Sequence, residues 1–289
     1  MTATSTETEH GSPGMWRMLR WAAIGIAVAA VVAYAAAAGW LWARQESVLF
    51  RPMPLPADHV LAREQDVREF NVDVPGARLS VLRLTVPNAR GVVFYLHGNA
   101  GNLARWFSDA GFYRRAGYDL VMMDYRGFGK SSGRIESQDQ LIHDVRAVWK
   151  SVAGDYAGRR VVLVGRSLGS GLVASMAAEL TVAGTPPDLT VLVSPYTSMV
   201  AMAAQQYPWV PGFLLRYPLP TGDWLVQAAG PVLIAHGDAD ALIPVTHAYA
   251  LKARVPRAQL VVLPGATHHN VESSDGLFHR ALAERLAAL

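Results

Sequence analysis

Six short runs of almost uninterrupted apolar residues are spread along this chain, at 92–96, 120–123, 161–164, 189–193, 232–235 and 260–263. A strand with one face in water alternates apolar and polar residues. A run without alternation suits a strand covered on both faces, as in a parallel sheet sandwiched by helices. Helical patterns fill the gaps, at 105–115, 137–153, 168–180, 246–254 and 277–286. Ahead of them, 70–74 and 79–86 do alternate, as an antiparallel hairpin would. Strand and helix in alternation imply an α/β fold: a mostly parallel, doubly wound sheet of eight strands with flanking helices. The one long departure is 196–230, rich in aromatic residues (Tyr207, Trp209, Phe213, Tyr217, Trp224) and broken by prolines. It reads either as a small cap over an apolar pocket or as an irregular helical layer filling core.

The N-terminus has a different character. Residues 1–20 read as a polar tail, and 21–43 form a run of about 23 residues without a charge, enough for a helix to cross a ~30 Å hydrocarbon core. Trp16, Trp21, Trp40 and Trp42 stand at its two ends, where amphipathic rings favour the interface. A cleaved signal peptide is the competing reading, with Ala36-Ala37-Ala38 as the cleavage site, but signal-peptide cores run only about 7–15 residues. The expectation is a single-pass membrane anchor followed by one domain over 44–289. Arg17 and Arg20 precede the span, and Arg44 and Arg51 follow it. The tighter pair in front favours placing the domain that follows on the extracytoplasmic side. Composition excludes more than it suggests. There is no cysteine, hence no thiol nucleophile, disulfide or Cys-based zinc site. The net charge of +3 is scattered, with no basic block to bind nucleic acid.

The chemistry concentrates at strand ends. Residues 161–171 read V-V-L-V-G-R-S-L-G-S-G, a β-branched run, then Gly-Arg-Ser167-Leu-Gly, then a helix-forming run. Strand, sharp turn and helix are the context in which G-x-S-x-G exposes a nucleophilic serine. A serine hydroxyl is a weak nucleophile at neutral pH and needs a base, which in turn needs an orienting acid. After the strand at 232–235 comes His236-Gly237-Asp238-Ala239-Asp240. After that at 260–263 comes Gly265-Ala266-Thr267-His268-His269-Asn270. Serine, then aspartate, then histidine along the chain is the order such a strand-turn-helix serine requires. The residues alone leave two aspartates and two histidines as candidates. A glycine-bearing loop, His97-Gly98-Asn99-Ala100-Gly101-Asn102, follows the strand at 92–96. The N–H of Asn99, paired with that of Leu168, is the expected oxyanion hole, with His97 and Asn102 fixing the loop.

The segments H-G-N-A-G-N, D-Y-R-G-F-G-K-S, G-R-S-L-G-S-G, S-P-Y-T-S-M, H-G-D-A-D-A-L-I-P and G-A-T-H-H-N resemble the α/β-hydrolase family. More narrowly they resemble its membrane-associated serine hydrolases, which include the protein depalmitoylases. The likeness runs from Gln45 to Leu289. It implies ester or thioester hydrolysis without a cofactor, on a small or lipid-like acyl ester or an acylated protein. By position it selects Asp240, before Ala241-Leu242-Ile243-Pro244, and His268, after Gly265-Ala266-Thr267, to accompany Ser167. The stretch 219–224 departs from the usual cap sequence of that branch. Two rivals are a serine peptidase of the same fold and a membrane-tethered scaffold without turnover. Three motifs carry no function. Gly129-Lys130-Ser131 lacks the first glycine of a phosphate loop. The glycines at 169–171 begin inside a helix, after the turn. The pair His268-His269 lacks further metal ligands at telling spacings.

Overall fold

The computed structural model describes residues 13–273 and 276–289. Two units divide the chain, Met1–Gln45 and Glu46–Leu289.

In the first unit, helix α1 covers Pro13–Ala43, and it is long and apolar enough to cross a membrane. It starts eight residues before the expected span, so 13–20, read as tail, are its first two turns; residues 1–12 of that tail lie outside the described residues. The earlier start has a local cause. Proline is favoured at a first helical position, and Met15, Arg17, Met18, Leu19 and Arg20 are good helix formers. Ile24, Ile26, Val28, Val31 and Val32 are all exposed on this helix.

The second unit is built on eight strands: β1 (Val67–Val74), β2 (Ala77–Leu84), β3 (Gly91–Leu96), β4 (Tyr118–Met123), β5 (Arg160–Arg166), β6 (Leu189–Val193), β7 (Val232–Gly237) and β8 (Gln259–Leu263). Their order across the sheet is β8-β7-β6-β5-β3-β4-β2-β1. The β1–β2 and β2–β4 pairs are antiparallel and all others parallel. Every residue of β3, β4, β6 and β7 is buried, including the polar Asp119, Thr190 and His236 that interrupt their apolar runs.

Side chains alternate between two cores. Val92, Phe94 and Leu96 join the face covered by Gln138–Ala153, Leu168–Val182, Thr221–Gln227 and Thr246–Arg254. Val93 and Tyr95 join the face covered by Leu103–Trp106, Ala110–Ala116 and Leu277–Ala287. The helix expected over 105–115 is broken into three short pieces. Asn102 caps the first of these early, its side chain accepting from the Ala104 amide at 3.1 Å.

The excursion at 196–230 divides in two. Met199–Gln206 has no buried residue, and Trp209 and Phe213 are exposed. Tyr217, Leu219, Thr221 and Leu225 are fully buried, so the second half is a core layer and the cap shrinks to roughly 199–216. Its partner is the helix Leu168–Val182, whose Gly171 lies against it. A Cβ on Gly171 would stand 2.3 Å from the Tyr196 hydroxyl.

Two more glycines allow that helix to begin where it does. A Cβ on Gly165 would lie 2.3 Å from the Gly169 carbonyl oxygen, and one on Gly169 would lie 2.0 Å from that of Leu96. Both obstacles are backbone, which cannot rotate away. Gly169→Ala is therefore expected to destabilise the fold by the upper part of the roughly 1–3 kcal/mol that overpacking costs, read as a lower urea midpoint of the full chain.

Candidate active site

Parallel strands deliver their C-terminal ends to one edge of the sheet, and functional groups of α/β proteins collect there. Ser167 stands immediately after β5, with φ 51° and ψ −116°, a left-handed conformation rare for a residue with a side chain. Such a conformation costs about 1–3 kcal/mol and persists only where neighbours hold it. Here the Ser167 amide donates to Val193 O at 2.9 Å, and the Ser170 amide and hydroxyl both donate to Ser167 O, at 2.9 and 2.6 Å. Helix Leu168–Val182 begins at the next residue.

His268 comes from the loop after β8. Its Nε2 lies 3.1 Å from Ser167 Oγ, and its Nδ1 lies 2.7 Å from Asp240 Oδ2. Nδ1–H donates to the carboxylate, which leaves Nε2 as the acceptor for the serine hydroxyl. Asp240 comes from the loop after β7, and its second oxygen accepts from the Leu242 and Ile243 amides at 3.0 and 2.8 Å. Burial alone would raise its pKa. Hydrogen bonds from His236, His268 and the Ile243 amide outweigh it and hold the carboxyl well below the usual carboxylate range. The carboxylate is thus charged and aimed.

The rejected candidates are placed elsewhere. Asp238 Oδ1 accepts from the Gly265 amide at 2.7 Å, a clasp between the two loops. His269 is exposed, its ring edge-on to that of His268 with centroids 5.8 Å apart. His269→Ala is accordingly expected to leave turnover within about twofold of wild type, a surface change of the kind that moves little.

The loop after β3 is the expected oxyanion site. Among the described residues the amides of Asn99 and Leu168 donate no hydrogen bond, and that of Leu168 stands at the head of a helix, where no intrahelical acceptor exists. His97 and Asn102 do fix the loop. His97 is fully buried, with Nε2 3.4 Å from Asp124 Oδ1, and Asn102 Nδ2 donates to Met53 O at 2.8 Å. The segment around Leu49–Leu55 is stitched along the same loop. Asn99 Nδ2 donates to Leu49 O and the Arg51 amide to Asn99 O, both at 2.8 Å, and Arg51–Pro52 pairs with Ala100–Gly101 as a two-residue parallel ladder.

Charged groups of the neighbouring loop are engaged in structure. Arg126 forms a bidentate pair with Asp144, at 2.6 and 2.9 Å, and Lys130 pairs with Glu69 at 2.9 Å. Among the described residues no three His, Asp or Glu side chains are grouped to hold a metal ion.

Sequence reasoning missed two supports of the site. His236 Nε2 lies 3.5 Å from Asp240 Oδ2 and 2.7 Å from Ile243 O, bracing the acid from its own strand. The nearly buried Arg166 pairs with the partly buried Glu272 at 3.1 Å, behind His268. A charged residue at the C-terminal end of β5, directly before Ser167, was the available signal for the second.

Comparison with known proteins agrees with this architecture. A family model described as serine aminopeptidase, S33, matches residues 87–226, a stretch that takes in Ser167 and ends before Asp240 and His268. An uncharacterized protein of Mycobacterium tuberculosis is 31% identical over 260 residues, covering 86% of this chain and 90% of the relative. Alpha/beta hydrolase domain-containing protein 17C of Xenopus tropicalis is 30% identical over 190 residues, covering 64% of this chain and 58% of its own. Among solved structures, an esterase of Pyrococcus furiosus superposes with a TM-score of 0.64 at 19% identity, over 83% of this chain and 97% of the esterase. Fold, site and relatives together place the chain as a hydrolase of the α/β-hydrolase superfamily.

Proposed function

We propose that this protein is a membrane-anchored serine hydrolase that cleaves carboxylic ester or thioester bonds through an acyl-enzyme. The observation that carries this reading is the unbroken hydrogen-bonded line from Ser167 Oγ through His268 to Asp240, at 3.1 and 2.7 Å. Ser167 Oγ attacks the acyl carbonyl while His268 Nε2 takes its proton, and Asp240 holds the imidazole in the required tautomer. The Leu168 and Asn99 amides bind the oxyanion, each such donor contributing about 3–4 kcal/mol to the transition state. His268 then protonates the departing alcohol or thiol. Water, activated by the same imidazole, releases the acid and regenerates the serine. The apolar helix α1 tethers the enzyme to a bilayer, which supports amphiphilic acyl esters or acylated proteins as substrates.

The test is fluorophosphonate labelling of the full chain in its membrane fraction, beside Ser167→Ala and His268→Ala. Labelled wild type with both variants silent is the expected result; a folded wild type that takes no label would move the reading to a tethered scaffold. The description of the matched family model favours one further reading, a serine aminopeptidase. Cleavage of an aminoacyl nitroanilide in preference to a p-nitrophenyl ester would select it.

A further inference from the structure

We propose that Arg166 is a positioning residue: it fastens the loop bearing His268 and the loop bearing Asn99 to the strand that carries Ser167. Strand alternation puts it there. Val162 and Val164 face the core beneath Leu103, Tyr113 and Phe278, and Arg166 ends the same face of β5. Its guanidinium is nearly buried, a placement that is costly unless the charge is paired, and its Nε finds an ion-pair partner but no hydrogen bond.

The partners are instructive. Arg166 Nη2 donates to the carbonyl oxygen of His268. Its Nε lies 3.1 Å from Glu272 Oε2, four residues further along that loop, and Glu272 Oε1 accepts from Tyr95 at 2.7 Å. The face of the guanidinium packs on Trp106, 4.9 Å from the ring centroid. Trp106 in turn governs the other loop. Its Nε1 donates to Ala100 O at 2.7 Å, and a Cβ on Gly98 would stand 3.3 Å from its ring. One side chain, attached to the residue before the nucleophile, therefore touches the base's own peptide and the ring that clasps 98–100. The hydrogen bond between Ser167 Oγ and His268 Nε2 closes a loop already closed from behind by Arg166. A planar, forked guanidinium suits this task, because it can stack and donate in its plane at once; an ammonium cannot.

The inference rests on Ser167, His268 and Asp240 acting together as proposed above. It is tested on the full chain in detergent micelles with Arg166→Met, which keeps the stem and removes the donors, and Arg166→Lys, which keeps the charge. Two readouts are taken: kcat and KM for a p-nitrophenyl ester, per active site titrated with fluorophosphonate, and the downfield proton resonance of His268 Nδ1–H, identified by its loss in His268→Ala. Displacements near 1 Å can cost on the order of 100-fold in rate, so Arg166→Met is expected to lower kcat about 30- to 100-fold, leave KM within about threefold, and shift or broaden the resonance. Arg166→Lys should recover less than about a tenth of the lost rate.

A kcat per titrated site within about threefold of wild type, with an unmoved resonance, would overturn the proposal even if the unfolding midpoint fell. Should Arg166→Met fail to fold, Glu272→Gln loosens the same clasp while keeping volume. It should lower kcat about 5- to 10-fold and move the resonance, and no change in either overturns the proposal. If wild type neither turns over ester nor takes label, the hydrolase reading has failed instead, and the resonance still reports whether Arg166 holds His268.

Discussion

Ser167→Ala is expected to lower kcat for any ester this enzyme accepts by at least about 10⁴-fold, with the protein still folded. The two halves of that expectation have separate origins. Alanine retains the Cβ, so the backbone strain at φ 51° is neither relieved nor increased, and the bonds that hold the turn are made by the Ser167 amide and carbonyl. Among the described residues the hydroxyl has one hydrogen-bond partner, His268 Nε2 at 3.1 Å, so its removal leaves the packing intact. What disappears, on the proposed mechanism, is the nucleophile, and with it the acyl-enzyme. The proposed oxyanion donors would remain, and such remnants typically keep about 10³–10⁴-fold of acceleration over water. An unchanged urea midpoint with no burst of p-nitrophenol would match this account; wild-type turnover by Ser167→Ala would refute the mechanism.

Asp240→Asn should be nearly as severe, on the order of 10⁴-fold in kcat, although it is isosteric. The carboxylate accepts on both sides: Oδ1 from the Leu242 and Ile243 amides, Oδ2 from His268 Nδ1. An asparagine must keep its oxygen towards the two amides, since turning the NH₂ there would set donors against donors. The NH₂ then faces His268 Nδ1, which has to become an acceptor. That forces the proton onto Nε2 and removes the lone pair that should receive the serine proton.

The same substitution has a signature in stability. Hydrogen bonds in the folded state, overriding burial, hold the Asp240 pKa below its unfolded value. Its contribution to stability is therefore complete above about pH 4, the ordinary range for the group, and is lost as pH falls from there towards the depressed folded value. Urea unfolding of wild type and Asp240→Asn from pH 6 downwards should show two curves that converge on the acid side. Parallel curves would mean that the folded state does not stabilise the charge.

Much of this molecule could be read before any coordinates. The six unalternating runs became β3 to β8, and the alternating pair became the antiparallel β1–β2, with ends moved by at most three residues. Strand ends moved because pairing sets them: Val67 extends β1 only because Leu84 stands opposite. The excursion at 196–230 resisted reading for a related reason. Tyr217 and Phe213 are both aromatic, yet Phe213 is exposed while Tyr217 is buried, its ring edge-on to Phe50 and its hydroxyl donating to Glu46 Oε1 at 2.9 Å.

What the sequence determined by itself was every property set by neighbours a few residues apart. These are the eight-strand alternation, the Gly-Arg-Ser-Leu-Gly turn, the chain order of serine, aspartate and histidine, and an apolar segment long enough to cross a membrane. What only the tertiary structure decided was which of two aspartates and two histidines meet Ser167 on geometric grounds, and that His236, Arg166, Glu272 and Trp106 stand behind them. Separations of 28 residues between Asp240 and His268, and of 101 between Ser167 and His268, are bridged by strands lying side by side, and no local propensity encodes which side chains that pairing will face towards each other.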